Sequence, residues 1–554
     1  MNKTSLLHTI IIVLLCIITS WQLFRPGYFT MHDDLQVMRL FEMDRCLQDG
    51  QIPCRWSPDM GAGYGQPMFN FYSAFPYYLG GLIKVGGLSY IFTVKALILL
   101  CLIASGLSAY LLFAGLFSPL SALVGAVAYI FVPYRALDLF VRGALSESFA
   151  LALFPLVLYC ILLIIKDPKP KKIILLSLSL GAFFSTHNIT TMIGAPLIVL
   201  LCLWFLYKFG FSLRKIIGLA IGGILGFGLS AFFLLPVFFE KNLAHTEYLI
   251  SDYYNFQNHF ISLKQIFADL HWGFGSENIG PGGAISFFVG FLPAIALIIF
   301  PLFIFTVKNT KEKIDYLFIW LLSLFVLWMT HSKSFFVWQS LPLLSYVQFP
   351  WRFLGLFALF SSWLIALIAD RFGKLRWVSL ALIILLITLN FGYFRFGRLQ
   401  PDMTDSVKLS GTEFANQQKA ALLDYLPKSS TAIPLEIAPA MPEIVSGTAG
   451  INYFDKRSGY FSTELDIYTD TAIVRFPVVY FPGWELHLNR SPQIMDFSYD
   501  NDLGLITVEL KGGHRLVQGF FENTSVRAMG NIITFGSAVI LIAWALLTRE
   551  KNEK

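Results

Sequence analysis

Two adjacent carboxylates behind a histidine, His32-Asp33-Asp34, stand just beyond the first apolar run of the chain. A carboxylate placed there can take a proton from a hydroxyl nucleophile. His32 with both aspartates is also a candidate ligand set for a divalent cation, although two acids are a weak metal signature. Asp33 followed three residues later by Gln36 fits a capping box as well, so helix capping stands beside chemistry for one of the two acids.

Three arginines could hold an oxyanion, because a planar guanidinium binds one bidentately: Arg135, Arg142 and Arg352. Each has a plainer reading. Asp138 lies three residues from Arg135 and four from Arg142, the spacing of local ion pairs on a helix. Arg352, in Gln348-Phe349-Pro350-Trp351-Arg352, fits an interfacial anchor. Ser146-Glu147 follows the first arginine pair, and His187-Asn188 ends an apolar run. A His and an Asn at membrane depth are costly unless a neighbouring helix or a function satisfies them. His259 belongs to a loop that also carries His245 and His271. No P-loop, nucleophile elbow, zinc-type cysteine pair or HExxH is present.

The elements that must position these groups are membrane helices. The 554 residues are 56% hydrophobic and 14% charged, with 54 Phe, too apolar for a soluble protein. Spanning ~30 Å of hydrocarbon takes about 20 apolar helical residues. The runs near 6–24, 90–113, 117–134, 146–165, 173–190, 191–207, 216–238, 286–306, 314–330, 353–369, 377–394 and 528–547 predict about twelve spans. Lys and Arg are retained on the cytoplasmic side. Lys166 to Lys172, Lys208 with Arg214 and Lys215, Lys308 to Lys313, Arg371 to Arg376 and the tail Arg549, Lys551 and Lys554 all fall on one side. Both termini are therefore expected in the cytoplasm, in a multi-pass bacterial cell-membrane protein whose first span is an uncleaved anchor. The net charge of +6 is largely this topological signal and no argument for nucleic acid.

The expected plan is a transmembrane helical domain over 1–394 with outer loops at 25–89 and 239–285. An extracytoplasmic, mainly-β, sandwich-like domain follows over 395–527, then a final span and cytoplasmic tail over 528–554. In the β domain, residues 409–426 read as a helix. Residues 460–467, 472–479, 484–489 and 505–510 read as strands, with a hairpin turn at Gly512-Gly513. Cys46 and Cys54 share the first outer loop and form a disulfide if the compartment is oxidising. Gly218, Gly222 and Gly226, spaced by four, mark a close helix contact.

One family resemblance is carried by His32-Asp33-Asp34, Asp49-Gly50-Gln51-Ile52-Pro53 and Gly63 to Tyr72. It continues through Tyr134-Arg135, Val141 to Glu147, His187-Asn188, His259-Phe260, Trp272-Gly273, Phe349 to Arg352 and Tyr480 to Trp484. Over nearly its whole length the chain resembles the bacterial membrane family labelled 6-pyruvoyl-tetrahydropterin synthase-related. That label implies no pterin chemistry, since the zinc site of a soluble pterin synthase is not recognisable. The architecture also resembles the GT-C class of polytopic membrane glycosyltransferases, which includes protein O-mannosyltransferases.

That class places an acidic residue in the first outer loop and uses polyprenyl-phosphate sugars. The resemblance implies transfer of a sugar from a lipid-linked donor to an extracytoplasmic acceptor (glycan, lipid or protein) with inversion. Asp33 or Asp34 would be the base. His32, Arg135, Arg142, Glu147, His187, Asn188, His259 and Arg352 would contact substrate. No cofactor is indicated beyond the open question of a divalent cation, and the partners are the lipid-linked donor and membrane lipids. A lipid or polysaccharide flippase, or a non-catalytic envelope assembly protein, is the rival reading. The soluble domain before the last span and the polar groups at outer helix ends, away from the bilayer midplane, argue against a transporter.

Overall fold

A computed structural model describes residues 3–275 and 285–553. The rest of the second long loop, 276–284, and the basic side chains of the tail lie outside the described residues. Among those described, six helices are long and apolar enough to cross a membrane: Tyr90–Ala114, Leu145–Lys166, Asn188–Phe209, Pro350–Arg371, Arg376–Tyr393 and Ser525–Thr548. Three more candidates are bent pairs: Pro119–Phe131 with Pro133–Val141 (50°), Leu213–Leu229 with Ala231–Phe239 (72°), and Thr310–Trp328 with Ser332–Ser340 (97°). Lys3–Thr19 and Phe291–Thr306 are shorter apolar helices. Pro170–Phe184, expected as a span, has only 15 residues.

Local sequence explains the first bend. Val132 precedes Pro133 and is extended, with ψ 129°, because a following proline disfavours the helical region. The helix restarts at Pro133 and passes into a π-helical turn, Leu137–Val141. The glycine stripe packs as expected. An added Cβ at Gly222 or Gly226 would stand 2.7 or 2.6 Å from side-chain atoms of Leu176 or Leu180 on Pro170–Phe184.

The first long loop is built, not extended. The helix Gln36–Gln48 is buried along most of its length, and Cys46 and Cys54 are joined by a disulfide. Trp56, Phe69 and Tyr77 lie in the interior. Trp56 meets Trp484 of the C-terminal domain edge-on at 5.4 Å.

In that domain Glu443–Ser446, Ala449–Arg457, Tyr460–Val479, Trp484–Leu488, Ile494–Met495 and Leu505–Phe521 join one antiparallel sheet. It is a single hydrogen-bonded sheet, where the sequence suggested a sandwich. The predicted hairpin at Gly512-Gly513 is not formed, and Leu505–Phe521 runs straight through it. These glycines instead face a register shift between Ile467 and Thr471 on the partner strand, so they serve a bulge. Gly512 lets the Thr469 carbonyl approach to 2.8 Å of where a Cβ would be. The helix expected over 409–426 stops at Lys419, and Ala421 then adopts φ 54°.

Candidate active site

The Met31–Asp33 backbone lies against the turn that follows the π-helical segment. His32 N donates to Val141 O at 3.0 Å and Asp33 N to Arg142 O at 2.8 Å. Gly143 makes this approach possible: its φ is +68°, and a Cβ there would sit 2.9 Å from Met31 Sδ. Asp33 Oδ2 accepts from Arg39 Nη1 at 2.7 Å and from Gln36 Nε2 at 3.2 Å, while the side chain stays 34% exposed. The capping reading gives way here, since Leu35 is the N-cap and no side chain caps the helix.

Asp34 points elsewhere. Its Oδ2 meets Lys408 Nζ at 2.7 Å, and its Oδ1 is buried without a hydrogen-bond partner. Burial pushes its carboxyl up to about 6 against the pull of Lys408. His32 is exposed. The two aspartates thus answer to different cations. Among the described residues no three His, Cys, Asp or Glu side chains converge as a metal site.

The second group gathers around Glu147. Its Oε1 accepts from Tyr134 OH at 2.5 Å and its Oε2 from Arg142 Nη1 at 3.0 Å. Arg142 also pairs with Asp138 at 2.5 Å, the i,i+4 contact the spacing predicts, and lies over the Trp351 ring at 4.6 Å. Arg352 Nε stands 3.5 Å from Glu147 Oε2 and makes no hydrogen bond. Its Nη1 donates to Val347 O and Gln348 Oε1. His187 caps the helix Asn188–Phe209 through Thr190 and is within electrostatic reach of Glu147, Arg352 and Arg142. Asn188 Nδ2 donates to Phe71 O at 2.8 Å, leaving Oδ1 buried and unmatched. Arg142, Glu147, His187 and Arg352 therefore form one group, with Asn188 next in sequence to His187 and an unsatisfied guanidinium nitrogen on Arg352.

Two predicted residues stand apart. Arg135 is fully buried, donates to Ser105 Oγ and the Ser148 carbonyl, and makes no ion pair with Asp138. His259 is fully buried, bonded to the Tyr253 carbonyl and edge-on to Phe349 at 4.6 Å, so it supports the ring under Arg352. Sequence reasoning missed Arg39, Tyr72 and Asp424. Arg39 lies 4.3 Å over the Tyr72 ring. The Asp424 carboxyl is raised to about 6 by burial, with Arg39 opposing and Asp33 reinforcing the shift. Only the coincidence of an acid with a turn, in Asp424-Tyr425-Leu426-Pro427, could have flagged it.

An uncharacterized protein of Lactococcus lactis subsp. cremoris is 25% identical over 331 residues, 56% of this chain and 51% of the relative, so the chain spans about half that relative's length. The mycobacterial arabinofuranosyltransferase AftD superposes with 14% identity and a TM-score of 0.45 over 69% of this chain and 26% of its own. The oligosaccharyltransferase AglB of Archaeoglobus fulgidus, solved with an inhibitory peptide and a dolichol-phosphate, gives 10% identity and 0.44 over 72% and 57%. Superpositions at this level do not establish a shared fold. The family model for the 6-pyruvoyl-tetrahydropterin synthase related domain, a membrane protein, matches residues 69–395. With more than half of its 554 residues so matched, the chain belongs to the 6-pyruvoyl-tetrahydropterin synthase-related family of membrane proteins.

Proposed function

We propose that the protein is a glycosyltransferase that moves a sugar from a polyprenyl-phosphate donor to an acceptor hydroxyl outside the cytoplasm, with inversion. The observation that carries this reading is the backbone link between Asp33 and Arg142, which ties the segment bearing a partly exposed carboxylate to the turn that bears one of the arginines. The basic loops support a cytoplasmic position for both termini, which puts this group on the opposite side.

In the proposed step the acceptor oxygen forms a bond to the sugar C1 as the bond from C1 to the phosphate oxygen breaks. The acceptor proton passes to Asp33. The electron pair of the broken bond leaves on the phosphate, whose growing charge Arg352 and Arg142 stabilise at a site sheltered from water. Glu147 keeps the two guanidiniums together despite their like charge. Asp34 is read as a strut to Lys408, which leaves Asp33 as the base. The test is transfer from a radiolabelled polyprenyl-phosphate sugar by the purified protein in lipid. Movement of the lipid across the bilayer without transfer would favour the flippase reading instead.

A further inference from the structure

Asp33, Gln36 and Arg39 follow one another at intervals of three, and the helix Gln36–Gln48 begins at the second of them. Positions three apart share a helix face, so Gln36 and Arg39 can reach one target. They do so at a single atom: Asp33 Oδ2 accepts from Arg39 Nη1 at 2.7 Å and from Gln36 Nε2 at 3.2 Å. Among the described residues Oδ1 makes no hydrogen bond, and the side chain is partly exposed. An ionised carboxylate carries lone pairs on both oxygens. With Oδ2 engaged twice, Oδ1 is the oxygen left to take a proton.

The two donors are themselves fixed. Gln36 is buried, and its Oε1 accepts from the hydroxyl of buried Tyr77 at 2.6 Å. That bond sets the amide so that Nε2 meets Asp33 and also the Gly143 carbonyl at 2.8 Å. One amide thus joins the acid to the turn that follows Arg142. Arg39 is buried over the Tyr72 ring at 4.3 Å, and that ring packs against Tyr77 at 6.0 Å. Among the described residues Arg39 is the one cation paired with Asp33, since Asp34 turns to Lys408. Taking a guanidinium out of water is costly, and pairing it with a partly exposed carboxylate recovers little stability. The arrangement suits aiming a carboxylate better than holding the fold.

We propose that Arg39 and Gln36 are positioning residues for glycosyl transfer, clamping Asp33 Oδ2 so that Oδ1 meets the acceptor hydroxyl and receives its proton. This assignment rests on the reading of Asp33 as the base. It is tested on the full-length protein in lipid, by transfer from radiolabelled undecaprenyl-phosphate sugars to a cell-envelope extract. Arg39→Gln and Gln36→Leu are measured alone and combined with Asp33→Asn. A misplacement of about 1 Å can cost on the order of 10²-fold, so each single variant should lower kcat by about tenfold or more. KM for the lipid donor and affinity for bare undecaprenyl phosphate should stay near those of the parent, which also controls for folding. Arg39→Lys, which keeps a charged donor for Oδ2, should recover most of the loss. Residues that act as a unit are not additive, so neither substitution should lower kcat further in the Asp33→Asn background. The assignment is overturned if the single variants transfer as the parent does, if bare-lipid affinity falls in step with kcat, or if the losses multiply in the double variants. If Asp33→Asn alone transfers as the parent does, the reading of Asp33 as the base falls with it.

Discussion

The amide of Asp33 donates to the carbonyl of Arg142 at 2.8 Å, so the proposed base and a proposed phosphate ligand are spaced by backbone. Gly143 permits the contact, because any Cβ there would press on Met31 and the residue would keep φ +68°. Gly143→Val should push the Asp33 segment away. A misplacement of about 1 Å can cost on the order of 10²-fold. Transfer by this variant should fall at least tenfold while binding of undecaprenyl phosphate falls less, as measured on protein that still purifies as a folded species.

Arg352 and Arg142 differ in what surrounds them. Arg142 bonds to Glu147 and Asp138, both buried, and breaking such a cluster costs roughly 3–5 kcal/mol, so Arg142→Ala should lower the unfolding temperature sharply. Arg352 is held chiefly by Val347 O and Gln348 Oε1. Arg352→Lys keeps the charge but loses the planar fork, and should weaken binding of undecaprenyl phosphate about tenfold with little change in unfolding temperature.

Asp34 makes a pH prediction. Its folded carboxyl is raised to about 6, above the ordinary value of 3.8 that holds in the unfolded chain. Folding therefore favours its protonated form. That contribution to stability is complete below about pH 3.8 and is lost as pH rises through about 6. Asp34→Asn removes the titration, so the unfolding temperature of the variant relative to the parent should rise between pH 4.5 and pH 7.5. A difference independent of pH would contradict the assignment.

Orientation can be read by chemistry at one residue. His32 is exposed beside the proposed base. His32→Cys, in a chain whose free cysteines are buried or half-buried, should react with a membrane-impermeant thiol reagent added to intact cells. Labelling only after the cytoplasm is opened would reverse the topology.

The sequence shows the apolar runs and the two aspartates because both are local signals. Asp138 and Arg142 pair at the helical spacing that predicts them. Arg135, seven residues before Arg142, goes elsewhere because the helix restarts at Pro133 and winds into a π turn. Arg39 reads as one charge on an amphipathic helix until Asp33 meets it at 2.7 Å. Lys408 is hidden for a different reason: it reaches Asp34 across 374 residues, a separation on which periodicity is silent. The unbroken strand through Gly512-Gly513 was masked by glycines that serve a bulge as readily as a turn.

The central claim is that Asp33 accepts the proton in glycosyl transfer, and Asp33→Asn tests it most directly. The parent, purified into lipid with radiolabelled undecaprenyl-phosphate sugars and a cell-envelope extract as acceptor, should move label from the lipid to the acceptor fraction. A general base contributes about 10²–10⁴-fold, so Asp33→Asn should lower that rate by at least a hundredfold while binding the lipid as the parent does. Equal transfer by parent and variant would contradict the account.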